Sequence, residues 1–123
     1  MAFNGFLAVG AGAALGAWVR LGLGLVFGSS GFALGTLLAN LIGGLLMGCA
    51  LAYFASTLAH QEWRLFVMTG FLGGLTTFSA FSAESFLLLQ RGQYWLVMLH
   101  ASAHVLGALA MVALGYCLVQ NFR

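Results

Sequence analysis

Thr69-Gly70-Phe71-Leu72-Gly73-Gly74-Leu75-Thr76-Thr77-Phe78-Ser79-Ala80-Phe81-Ser82-Ala83-Glu84-Ser85 is the stretch on which the reading of this chain turns. It lies inside an apolar run from Arg64 to Gln90, long enough for a bilayer core, which takes about 20 helical residues. Glycine loses much backbone freedom on ordering, and threonine hydroxyls compete for nearby backbone groups. Gly73-Gly74 followed by Thr76-Thr77 is therefore poor material for a continuous helix. The stretch predicts a break near Gly73–Thr77, with an unbroken, Gly-kinked helix as the alternative. A break at membrane depth persists only where protein or a cavity satisfies the freed carbonyls and amides. Carbonyl oxygens would then point inward, an arrangement that a bare monovalent cation can use.

Working outward, the 123 residues are 63% hydrophobic and only 5% charged, where soluble domains carry charge on about a quarter of their residues. Lipid must be the solvent. Three more apolar runs fit a bilayer, roughly Gly5 to Phe27, Phe32 to Leu58 and Tyr94 to Val119. The punctuation between runs is short: Gly28-Ser29-Ser30-Gly31, Ala59-His60-Gln61-Glu62 and Arg91-Gly92-Gln93. These features predict an all-α integral membrane protein, a single domain over residues 1–123 with four transmembrane helices. No segment outside the spans is large enough to hold a catalytic site, so the chain reads as no enzyme and its function must sit between helices. The first apolar run lacks the basic flank and cleavage site of a signal peptide and is expected in the mature protein.

The net charge of +2 comes from four Arg and two Glu, too thin for a nucleic-acid patch. No Gly-rich Lys-Ser/Thr loop is present to cradle a nucleotide. Cys49 and Cys117 have no C-x-x-C spacing and read as small buried hydrophobes. Eighteen Gly and no Pro leave Gly and hydroxyl residues as the source of any helix break. Glycines four apart, Gly12/Gly16, Gly24/Gly28, Gly44/Gly48 and Gly70/Gly74, suit close helix contacts.

Glu84 is an ionisable group inside a span and so a functional candidate, unless Ser82 or Ser85 merely satisfies it. Phe78 and Phe81, three apart, share a helical face interleaved with Ser79 and Ser82. Aromatic ring edges are electropositive, so beside hydroxyl and amide donors they favour a small hard anion; plain packing is the alternative. Asn40, one turn after Thr36, supplies an amide donor or interhelical glue. His100 and His104 have the i, i+4 spacing of a metal pair but no third ligand nearby in sequence. They read instead as a helix contact or a pathway lining. His60 reads as a solvated loop residue.

Four spans place Arg64 and Arg123 on one face, and Arg91 with Arg20 toward the other. Two against two gives no positive-inside bias, so insertion in both orientations is expected, making an antiparallel homodimer possible.

Three motifs, in order and on separate helices, resemble those of the Fluc (CrcB-type) fluoride channel family: Gly16-Ala17-Trp18-Val19-Arg20, Gly35-Thr36-Leu37-Leu38-Ala39-Asn40-Leu41-Ile42-Gly43, and Gly73-Gly74-Leu75-Thr76-Thr77-Phe78-Ser79-Ala80-Phe81-Ser82. The resemblance implies a multi-pass protein of the bacterial inner membrane, an antiparallel dual-topology homodimer with two fluoride pores, and passive export. It implies that Phe78 and Phe81 meet fluoride with ring edges and that Asn40 donates beside them. Thr36, Ser79, Ser82 and Glu84 would belong to the polar path, with His104 beside it and Arg20 at the mouth of an aqueous vestibule. Backbone carbonyls of Gly73 and Thr76 from both subunits would hold one structural Na+. The chain departs from the family at Ala108 and Val112, where relatives often carry hydroxyls. A dual-topology proton-coupled drug exporter is a rival of similar length, but it relies on an acidic residue in the first span, which is absent here. A non-transporting assembly subunit is the other rival.

Overall fold

A computed structural model describes residues 2–28 and 33–123. Ser29, Ser30, Gly31 and Phe32, and with them most of the first expected loop and the expected start of the second span, lie outside the described residues. Helix α1 covers Ala2–Phe27 and α2 covers Leu34–Ala55. The third span is composite. Helix α3 (Gln61–Arg64) runs into a π-helical stretch (Leu65–Leu72) and then α4 (Gly73–Leu75). After Thr76 and Thr77 the chain resumes as α5 (Phe78–Gln90), and α6 covers Tyr94–Asn121. Four helical segments, with Gln61–Gln90 taken as one, are long and apolar enough to cross a membrane.

Local chemistry sets these ends. Ser56 and Thr57 turn their hydroxyls onto the Tyr53 carbonyl at 3.1 and 2.9 Å, which stops α2 three residues short of Leu58. The third span begins at Gln61, ahead of Arg64, because the amides of Trp63 and Arg64 already bond to the His60 carbonyl. Gly92 (φ 70°) closes α5: its amide bonds to Leu89 O and that of Gln93 to Leu88 O, both at 3.0 Å, the paired bonds of a glycine-terminated helix.

The spans pack as two pairs, α1 on the π-helical stretch with α4, and α2 on α6. The glycine spacing makes both contacts. A Cβ at Gly16 would press on Phe71 O and Leu75 N, and one at Gly48 on Val112 O and Tyr116 N. The expected Gly24/Gly28 pair behaves differently. Gly24 faces Gly35 of α2, while Gly28 (φ 66°) ends α1, where a Cβ would meet nothing within 4 Å among the described residues. Leu72 and Leu75 are fully buried between the pairs, with Ala39, Ala50 and Phe54 beside them. The outer faces are apolar: Phe6, Leu25, Trp95 and Leu109 are exposed, as lipid-facing residues must be. Cys49 is half-buried and Cys117 is exposed, so the second thiol faces outward rather than into the core.

Candidate functional site

The break falls where two threonines leave the helix. Thr76 (φ −83°, ψ 155°) and Thr77 (φ −151°, ψ 123°) are both extended. Each threonine repairs one end. The Thr76 hydroxyl donates to Leu72 O at 2.9 Å, and the Thr77 hydroxyl accepts from the Ala80 amide at 3.2 Å, capping α5. Two amides are thereby diverted from the carbonyls four residues back. Thr77 N donates to Asn40 Oδ1 at 2.8 Å instead of to Gly73 O. Ala80 N goes to the Thr77 hydroxyl instead of to Thr76 O. The carbonyls of Gly73 and Thr76 lose the partners that an unbroken helix would supply, and Gly73 is exposed on the chain's surface. The Arg20 guanidinium donates from Nε to Gly74 O at 3.1 Å, placing a cation at the C-terminal end of α4, where the helix dipole favours one. Arg20 also lines a cavity of about 430 Å³ with Ala17, Leu21, Gly24, Leu25 and Thr36.

Asn40 clamps the break from α2. Its amide donates to Thr77 O at 3.1 Å while its oxygen receives Thr77 N, and this pair of bonds fixes which way the amide points. The second amide hydrogen meets His104 Nδ1 at 2.9 Å. Both Asn40 N–H groups are therefore engaged within the chain. A neutral imidazole that accepts at Nδ1 carries its proton on Nε2. His104 is 4% exposed, and its Nε2 is buried without a hydrogen-bond partner among the described residues. Asn40 thus positions a donor as well as being one.

Phe81 is 9% exposed and packs against both histidines, stacked on His100 with centroids 5.3 Å apart and tilted against His104 at 4.7 Å, while the two imidazoles meet edge to face at 4.4 Å. Phe78 touches Phe81 at 5.4 Å between centroids but is 76% exposed. Both rings border a cavity of about 350 Å³ with Asn40, Thr76, Thr77 and His104. Ala108 and Val112, the two departures from the family pattern, form part of its apolar wall.

Glu84 is not satisfied by its neighbours. Ser82 and Ser85 donate to Phe78 O and Phe81 O, each at 2.8 Å, the back-bonding usual for serine within a helix. The carboxylate instead accepts from Thr36 Oγ1 at 2.6 Å, and its other oxygen lies 3.3 Å from His100 Nε2. Thr36, Asn40, Phe81, Glu84 and His104 therefore converge. Ser79 and Ser82 do not join them and are exposed with Phe78 on the outer face. His100, 1% exposed, belongs to the cluster although the sequence marked it only as half of a helical pair. Its i, i+4 register with His104 was the available signal.

Comparison with known proteins bears on this arrangement. The family described as "CrcB-like protein, Camphor Resistance (CrcB)" matches residues 7–116. This chain belongs to the CrcB-like family. A relative from Bordetella petrii is 54% identical over 122 residues, covering 96% of this chain and 93% of its own. One from Aromatoleum aromaticum is 52% identical over 121 residues, covering 96% and 92%. A third, from Ralstonia pickettii, is 48% identical over 125 residues, covering 99% of each chain. All three bear the name "Fluoride-specific ion channel FluC". The likeness thus covers nearly the whole length of this chain and of each relative.

Proposed function

We propose that this protein is a fluoride-selective channel that lets the anion leave the cytoplasm down its electrochemical gradient and so relieves fluoride toxicity. The observation that carries the reading is the buried His104 Nε2, which the Asn40 contact at Nδ1 leaves as the ring's donor and which has no hydrogen-bond partner among the described residues, on a ring that packs against Phe81 and borders a cavity at membrane depth. A buried donor left unpaired is costly, and a small anion that accepts from it repays that cost. Fluoride holds its water tightly, so passage requires close donors that replace the hydration shell. Ring edges of Phe78 and Phe81 add electropositive rims. Thr36 and Glu84, hydrogen-bonded to each other, continue the polar path beside the two histidines. The nearly full-length relatives carrying the fluoride-channel name support the same assignment.

The assembly we propose is an antiparallel homodimer in the bacterial inner membrane. Within one chain Phe78, Ser79, Ser82 and Gly73 all lie on the exposed face, and hydroxyls with an open backbone carbonyl are poor company for acyl chains. A second copy of the chain would cover them. The even distribution of arginines supports insertion both ways up. One Na+ held at the dimer centre fits the carbonyls of Gly73 and Thr76, which have surrendered their helical partners; bound there, it would offset the carbonyl dipoles that face it.

Fluoride efflux from proteoliposomes, followed with a fluoride electrode and with chloride as control, tests the assignment. Phe81→Ile and Phe78→Ile should each abolish efflux while the protein keeps its oligomeric size. Undiminished efflux in both variants would refute the role given to the rings. Cysteines placed at each terminus should label from both sides of the membrane, and one-sided labelling would exclude mixed orientation.

A further inference from the structure

A second chemistry is built into the same cluster. Glu84, His100 and His104 each offer a ligand atom, and these atoms lie within 4.8 Å of one another. The carboxylate comes from α5 and the two imidazoles from successive turns of α6, so two helices hold the set from different directions. Glu84 Oε2 and His100 Nε2 are 3.3 Å apart. Two ligands bound at about 2.0–2.1 Å to a tetrahedral metal stand roughly 3.3 Å from each other. That edge is already formed. At the third corner Asn40 already occupies His104 Nδ1, which leaves Nε2, buried and with no hydrogen-bond partner among the described residues. Imidazole and carboxylate together suit zinc and its neighbours among the divalent transition metals, and three protein ligands leave one position for water or a small anion.

We infer that Glu84, His100 and His104 form a binding site for a divalent transition-metal ion such as Zn2+. Ligation at His104 Nε2 needs the proton on Nδ1, the opposite tautomer from the one that Asn40 selects. Metal binding therefore breaks the Asn40–His104 hydrogen bond and removes the donor that the proposed anion path uses. Asn40 keeps both bonds to Thr77, so the helix break survives. The metal should act as a plug. That consequence rests on the channel reading; the site itself does not.

The test separates the two. Detergent-purified protein is dialysed against Zn2+ and analysed for metal, and Co2+ is used in parallel for its visible spectrum. The expected result is one zinc per chain and the intense bands of tetrahedral cobalt. Glu84→Gln, His100→Gln and His104→Gln should each weaken binding by more than roughly tenfold. His60→Gln, at the remaining histidine of the chain, should leave it unchanged. Helical circular dichroism and elution volume identify folded variants, and any one folded variant of the three suffices. A wild-type protein that retains no zinc overturns the site. So does unaltered affinity in the folded Glu84 or histidine variants, or loss of binding in His60→Gln. In proteoliposomes zinc should slow fluoride efflux from the wild type. Zinc bound at these residues without any effect on efflux would overturn the plug while leaving the metal site in place.

Discussion

Replacing Asn40 with leucine removes the side chain that holds the break in the third span. Three hydrogen bonds go with it: Asn40 Nδ2 to Thr77 O, Thr77 N to Asn40 Oδ1, and the contact with His104 Nδ1. Leucine has the same number and branching of heavy atoms as asparagine, with bulkier methyl groups in place of the amide, so the main loss is polar. Hydrogen bonds between membrane helices average about 0.6 kcal/mol, whereas leaving a buried polar group unpaired costs about 1–3 kcal/mol. The Thr77 amide and carbonyl sit at a break where no neighbouring turn can take them, so the higher range applies to them and the lower to the His104 contact. The expected destabilisation is about 3–7 kcal/mol. It should be read by thermal or denaturant unfolding in detergent, followed by helical circular dichroism. His104 would also be freed to adopt either tautomer, so fluoride efflux should fall by at least roughly tenfold even in the folded fraction. Asn40→Asp keeps the acceptor for Thr77 N but sets a carboxylate against Thr77 O, and it should not rescue. Wild-type stability and efflux in Asn40→Leu would refute the clamp.

The helix contacts and the acidic end of the path give further expectations. Gly48→Ala drives a methyl into Val112 O and Tyr116 N and should lower stability by about 1–3 kcal/mol. Gly22→Ala meets nothing within 4 Å and should unfold like the wild type; equal midpoints for the two variants would sink the close-contact argument. Thr36→Val removes the 2.6 Å bond to Glu84, a bond to a charged acceptor worth about 1.5–3 kcal/mol if the carboxylate is ionised. Slower efflux with the protein still folded is expected. Thr36→Ser should restore the rate, and failure to do so would argue that the methyl rather than the hydroxyl matters.

Relations among residues far apart in sequence were the part of the site hidden from a linear reading. Glu84 stands beside Ser82 and Ser85, and proximity alone pointed to them as partners. Both hydroxyls find nearer acceptors in their own helix at Phe78 O and Phe81 O, and Glu84 turns to Thr36, 48 positions away. Separation in sequence likewise hid the approach of Glu84 to His100, which sits on a different helix. Asn40 was legible as a polar group in a span, but its use depends on which backbone lies opposite. The π-helical stretch Leu65–Leu72 carries no signal in its apolar composition.

What the chain determines by itself is its solvent, its four crossings and the place where the third one breaks. These follow from costs paid locally: 5% charge cannot cover a soluble surface, and adjacent glycines and threonines weaken a helix wherever they sit. Tertiary structure decided which polar groups are consumed in holding the fold and which are left facing a cavity. Asn40 spends both amide hydrogens on Thr77 and His104, and that choice fixes the proton on a buried nitrogen beside Phe81. A hydrogen bond needs a partner at about 3 Å, and only the packing of α2 against α6 and the broken third span brings these partners within reach.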